Sequence, residues 1–320
     1  MTVSRRAVLA AVAGGAVAGG AAGCAPQQTV GPGSAAGPTV HQATATPAPT
    51  ADTASTATAT APADRTASAT ETAAAAEAAA VPPAAPVTRE QVLLRFGELA
   101  PEGWGFDAPG VVGALPTAEP AIALTFDACG GPDGSGYDEA LLDFLRAHRV
   151  PATLFLNARW LDANPGPFGE LAADPLFEIG NHGTLHRPLS VSGRSAYGIP
   201  GTRDAGEVFD EVAGNRDRLT GLLGHPPRFF RAGTAYYDDV AARIVTALGA
   251  RIAGFTVNGD GGATFTADQV NETVAGAGPG SIVLCHMNHP GGGTALGVAA
   301  AVPQLLDAGG HFVRLSDLVR

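Results

Sequence analysis

Five titratable side chains stand at or just past the end of an apolar run. They are Asp127 after 121–126, His182 after 177–180, Arg231 after 228–230, Asp260 after 251–257 and His286 after 281–284. Carboxylates and imidazoles are the groups that move protons near neutral pH, and a guanidinium beside a carboxylate lowers its pKa and fixes its rotamer. In His182-Gly-Thr-Leu-His186 a second imidazole follows four residues on, before Pro188. On a helical turn the two rings share a face and reach one divalent ion. Lysine chemistry is excluded, because all 19 Lys and Arg residues are arginine. There is therefore no Schiff-base amine and no P-loop lysine, and the glycine-rich run 130–136 reads as a tight turn rather than a phosphate cradle. A net charge of −11 argues against a nucleic-acid partner.

Side chains spread over 160 residues need a scaffold that brings strand ends together. Apolar runs at 121–126, 152–156, 177–180, 228–230, 251–257, 281–284 and 311–313 read as seven buried strands. Helical stretches at 138–148, 204–223, 236–248 and 295–308 alternate with them. That alternation implies parallel pairing, and a barrel collects the C-terminal ends of its strands at one mouth. The expected fold class is α/β, a barrel with its site at that mouth.

The segments also resemble, in order, the five motifs of the NodB-type polysaccharide deacetylases, carbohydrate esterase family 4. Thr125-Phe126-Asp127 is similar to the first, His182 to His186 to the second and Phe230-Arg231-Ala232-Gly233 to the third. Asp260 is similar to the fourth and Leu284-Cys285-His286 to the fifth, so the likeness spans about 121–319. The resemblance implies an incomplete (β/α)7 barrel and a metal-dependent hydrolase. Its substrate would be an N-acetylated cell-envelope polysaccharide, peptidoglycan or a related N-acetylglucosamine polymer, and its cofactor a divalent metal of the zinc type. It further implies that Asp127 is the general base, salt-bridged by Arg231, that His182 and His186 hold the metal, and that His286 is the general acid, oriented by Asp260. Backbone amides near Tyr236 would hold the oxyanion.

Three positions depart from the family pattern. Ala128 replaces the second, metal-binding aspartate, Ala232 a proline and Gly261 a tryptophan. The third metal ligand is open among Asp127, Asp133 and Asp138, with Cys129 a candidate if its thiol is free. The favoured expectation for Cys129 is instead a disulfide with Cys285, because each lies beside a motif and an exported protein meets an oxidising compartment. His289, outside the pattern, is either a spare ligand or a loop residue. Two other functions fit the same scaffold: a catalytically inactive glycan-binding lipoprotein and an O-acetyl esterase.

Residues 1–24 read as an export signal. Arg5-Arg6 resembles a twin-arginine leader, and Ala21-Ala22-Gly23-Cys24 resembles a lipoprotein processing box with Cys24 as the lipid-bearing residue. The apolar run is shorter than the ~20 residues a spanning helix needs. Residues 25–88 are rich in Ala, Thr and Pro and read as a disordered linker, which leaves 89–320 as the catalytic domain. The expected protein is exported, monomeric and bound to the membrane only through its lipid, and it faces the cell wall with an acetylated glycan as its partner.

Overall fold

In the computed structural model, residues 86–320 are described. The export signal, Cys24 and almost all of the linker lie outside the described residues. The first helix, Arg89–Phe96, opens on a capping box between Thr88 and Gln91 and buries Val92 and Phe96.

The strands in chain order are β1 Trp104–Gly105, β2 Val111–Val112, β3 Ala121–Ala128, β4 Ala152–Leu156, β5 Phe177–Asn181, β6 Phe229–Phe230, β7 Tyr237–Asp238, β8 Arg251–Ala253, β9 Val257–Asn258, β10 Ile282–His286 and β11 His311–Phe312. Nine of them form one parallel sheet ordered β2-β8-β6-β5-β4-β3-β10-β9, with β11 also on β3. A single run, 251–258, pairs with β6 through Phe230↔Ile252 and with β10 through Val283↔Val257. The sheet therefore curls back on itself into the incomplete barrel that the family resemblance implies. The seven expected strands are present, the fifth divided into β8 and β9.

Every residue of β3 is buried because the strand is covered on both faces. Leu124, Phe126 and Ala128 face the outer helical layer, packing with Leu141, Leu142 and Leu145 of helix Glu139–Ala147. Ala121 and Ala123 face the barrel interior with Phe155 and Phe229. Thr125 and Asp127 continue that inward row, since side chains alternate along a strand.

Two local expectations are corrected. The helix anticipated over 236–248 runs only Asp239–Ala247, because Asp238 caps it by accepting from the Ala241 amide at 2.7 Å, while β7 pairs antiparallel with β1. The His182–His186 pair is on a loop rather than a helical turn. Gly183 and His186 have φ of 78° and 63°. The Leu185 and Arg187 amides donate to the Glu211 carboxylate, at 2.9 and 3.2 Å, instead of to helical carbonyls.

Candidate active site

The barrel interior ends upward in the guanidinium of Arg231, which is fully buried. It lies 4.3 Å over the Phe155 ring and donates to Asp127 Oδ1 at 2.8 Å, Thr125 Oγ1 at 2.9 Å, Gly254 O at 3.0 Å and Ala253 O at 3.2 Å. One side chain thus ties β3 to the segment after β8. Burial pushes the Asp127 carboxyl up, but its surroundings, the charge and hydrogen bond of Arg231 foremost, outweigh this and hold it below its ordinary value. Asp127 is a carboxylate at neutral pH, with Oδ1 committed to Arg231 and Oδ2 standing 3.6 Å from His182 Nε2.

The second pair is His286 with Asp260. The His286 ring Nδ1 donates to Asp260 Oδ1 at 2.9 Å, and its amide donates to Oδ2 at 2.6 Å. Thr294 Oγ1 also donates to Asp260 Oδ2, at 3.0 Å. This arrangement fixes the tautomer and leaves Nε2 as the nitrogen for proton transfer. Asp127, His186 and His286 line one cleft, and Phe106, Tyr197 and Phe255 make up its apolar side.

His182 and His186 meet with ring centroids 5.0 Å apart. Three features of the chain bring the loop into place. Asn157 Nδ2 donates to the carbonyls of His182 and Gly183, both at 2.9 Å. Asn215 donates to Asn181 Oδ1, which in turn accepts from the Gly183 amide. At Gly233, an added Cβ would stand 2.4 Å from the His186 carbonyl carbon, so only glycine lets the Arg231 loop approach. Glu211 and Asn215, one turn apart on the buried stripe of helix Ala205–Leu223, are functional supports that the motif reading missed. Their signal was present in the sequence: polar residues standing where the helix pattern calls for apolar ones.

The residues fit a divalent ion. The Arg231 carbonyl, which can only accept, lies 2.9 Å from His182 Nδ1, so that nitrogen carries the proton. Nε2 then turns its lone pair toward Asp127 Oδ2 and toward Cys129 Sγ at 3.9 Å. Burial holds the His182 pKa below its ordinary value and keeps the ring neutral. A neutral imidazole that presents its Nε2 lone pair is the form that ligates a divalent ion.

Two site expectations change. None of the carboxylates anticipated as third ligand forms a close group with both histidines, although Asp127 Oδ2 stands 3.6 Å from His182 Nε2. Asp127 is held by Arg231, Asp133 sits on an exposed turn with φ 58°, and Asp138 caps helix Glu139–Ala147 through the Leu141 amide. Among the described residues, the one group of metal-binding side chains close enough together is Cys129, His182 and His186. The Cys129–Cys285 disulfide does not form. Cys285 is adjacent to His286 on β10 and so faces the opposite way, into the helical layer, where Gly259 makes room for its sulfur. Burial and the charges of Asp260 and Asp127 push its thiol well above the ordinary value. His289 lines a neighbouring cleft with Cys129 and His186 but is not part of that group. In the stretch whose amides were expected to hold an oxyanion, the Tyr236 amide makes a long 3.4 Å hydrogen bond to Thr234 Oγ1.

Comparison with known proteins gives a consistent picture. A family profile described as polysaccharide deacetylase matches residues 114–253. An uncharacterized protein of Streptomyces coelicolor is 31% identical over 207 residues, which cover 62% of this chain and 71% of that protein. The peptidoglycan-N-acetylglucosamine deacetylase PgdA of Listeria monocytogenes is 27% identical over 198 residues. That match covers 62% of this chain but only 38% of the deacetylase, so the chain spans well under half of its length. Among solved structures, the Bc1960 peptidoglycan N-acetylglucosamine deacetylase superposes with a TM-score of 0.55 at 26% identity, covering 65% of this chain and 92% of that one. A pseudoenzyme of carbohydrate esterase family 4 from Bacillus anthracis shares the fold, with a TM-score of 0.56 at 20% identity over 67% of this chain and 70% of that one.

Proposed function

The chain belongs to the polysaccharide deacetylase family, and on that premise we propose that it hydrolyses N-acetyl groups on a cell-envelope glycan of the N-acetylglucosamine type. The observation that carries this reading is the pairing at the cleft. A carboxylate held by a buried arginine and an imidazole held by a buried carboxylate both stand beside a histidine pair suited to a divalent ion. Such an ion, held by His182 and His186, supplies Lewis-acid polarisation of the acetyl carbonyl and a more acidic water.

Asp127 Oδ2 takes the proton of the attacking water, while Arg231 fixes the carboxylate through Oδ1. The new carbon–oxygen bond forms as that proton leaves. His286 then gives a proton to the amide nitrogen, the carbon–nitrogen bond breaks, and acetate and a free amine result. Asp260 stabilises the imidazolium form of His286 for this step. Phe106 and Tyr197 each pack against the Tyr236 ring, with centroids 4.2 and 5.5 Å away, and Phe106 also packs against Phe255. These faces suit the apolar side of a pyranose ring. Delivery to the envelope rests on the export signal and on Cys24, both read from sequence alone.

The reading of a glycan binder that has lost catalysis is favoured by three departures from the family pattern, Ala128, Ala232 and Gly261. Two intact proton-transfer pairs weigh against it, since binding alone needs neither. Amine release from N-acetylglucosamine oligomers, with an O-acetylated glycan measured in parallel, separates amidase from esterase. Asp127→Asn is expected to lose about 10²–10⁴-fold in turnover. Turnover retained in that variant removes Asp127 from the base role.

A further inference from the structure

We propose that Cys129 is the third protein ligand, so that the centre is a thiolate-bearing His2Cys site rather than one completed by a carboxylate. The proposal rests on reading this cleft as a metal-dependent hydrolase, and it concerns which atoms of the chain hold the ion.

Strand parity is the first argument. Ala128, where the family places its metal-binding aspartate, faces the helical layer among Leu141, Leu142 and Leu145. A carboxylate at 128 on this backbone would point into hydrocarbon, at a cost of several kcal/mol or more for a charged group. Residue 129 is the next position on the inward face that carries Asp127. A donor lost at one position is thereby regained at the next, on the correct side of the chain.

Geometry is the second argument. Ligands about 2.0–2.3 Å from one ion at tetrahedral angles stand about 3.3–3.6 Å from each other. The sulfur of Cys129 and donor nitrogens of His182 and His186 all lie within 4.8 Å of one another, and Sγ is 3.9 Å from His182 Nε2. Adjustments on the scale of a side-chain torsion bring them onto a common ion. All three residues are buried, so such an ion is shielded from bulk water by the protein. Three protein ligands leave one position open, as in catalytic zinc sites.

The third argument is that Cys129 is held as a ligand would be. Gly130 turns the chain at φ 66° immediately after it, and an added Cβ there would stand 2.4 Å from the Trp160 amide nitrogen. Arg159 donates from its guanidinium to the Cys129 carbonyl at 3.1 Å. The same short segment anchors the histidine loop, because Asn157 binds the carbonyls of His182 and Gly183. One helix start thus sets the spacing of sulfur and imidazole. Asp127 is spared from ligand duty and remains the base. A thiolate also changes metal preference, toward zinc and other thiophilic ions and away from magnesium or calcium, and loading releases the Cys129 proton.

X-ray absorption at the zinc edge of the full-length zinc-loaded protein reads the ligand set without reference to activity. The expected result is one sulfur at about 2.3 Å beside nitrogen scatterers at about 2.0–2.1 Å. That sulfur should be absent in Cys129→Ser and retained in Cys285→Ser and Cys24→Ser. Wild-type protein holding about one zinc with only nitrogen and oxygen neighbours overturns the cysteine assignment while the metal-hydrolase reading stands. A sulfur shell that survives in Cys129→Ser also overturns it. Wild-type protein that holds no zinc removes the metal-hydrolase reading and this proposal with it.

Discussion

At the residue scale, the site is built on a buried charge that is fully partnered. Arg231 is buried with four acceptors and an aromatic face around it, so removing its charge leaves the Asp127 carboxylate alone in the barrel. Arg231→Leu is expected to destabilise the fold by about 3–5 kcal/mol, since breaking a buried pair strands the partner. Arg231→Lys should recover only part of this, because an ammonium cannot serve the Ala253 and Gly254 carbonyls, the Thr125 hydroxyl and a carboxylate at once. Denaturant unfolding of both variants checks this, and a loss below 1 kcal/mol in the leucine variant contradicts it. A second expectation concerns the thiols: adding reductant should leave the melting temperature of the purified protein unchanged, as no bond joins Cys129 to Cys285. A clear drop on reduction contradicts the placement of Cys285. The proton-transfer residues were legible from their place at strand ends. The separation of the two cysteines is legible too, because neighbours on a strand face opposite ways, and a His286 that faces the site turns Cys285 away from it.

At the element scale, the histidine loop depends on helix Ala205–Leu223. Burial pushes the Glu211 carboxyl up to about 6, against the amides of Leu185, Arg187 and His186, which pull it down. A carboxyl whose folded pKa is raised stabilises the fold while protonated, and that contribution is lost as pH rises. Between the ordinary 4.5 and about 6 the wild-type protein therefore loses about 2 kcal/mol from this group. Glu211→Gln has no such loss, so its melting temperature relative to wild type should rise by about 4–8 °C across that window. A difference that stays constant with pH contradicts the burial argument. Gly233→Ala should weaken zinc binding about tenfold or more by displacing His186, with the barrel otherwise intact. Equilibrium zinc titration checks this, and unchanged affinity removes the steric argument. The strands and the longer helices were readable from apolar periodicity. The loop at 182–186 was not, because its shape is set by a carboxylate 25 residues away in sequence from His186 and by glycine conformations that no local pattern announces.

At the scale of the whole molecule, the incomplete barrel makes one loop cluster out of five strand ends, and the metal site joins the end of β3 to the end of β5. An ion bound there stabilises the folded state by mass action, by about 2.7 kcal/mol at a hundredfold excess over its dissociation constant. Chelation should lower the wild-type melting temperature accordingly and leave that of His182→Ala where it was. Equal sensitivity of the two proteins contradicts the site. The overall architecture was readable because alternating strands and helices admit few arrangements. The choice among the candidate third ligands, Cys129 included, was not, since it depends on where β3 ends and how Gly130 turns the chain after it.

The measurement that bears most directly on the central claim is product analysis of an N-acetylglucosamine oligomer incubated with the zinc-loaded protein. Mass spectrometry and acetate determination would be run beside chelated protein and Asp127→Asn. The account predicts loss of acetyl groups with one acetate and one free amine per event, only in the zinc-loaded wild-type sample. Intact oligomer in every sample, with glycan binding retained, would contradict it and leave a barrel that recognises the polymer without cutting it.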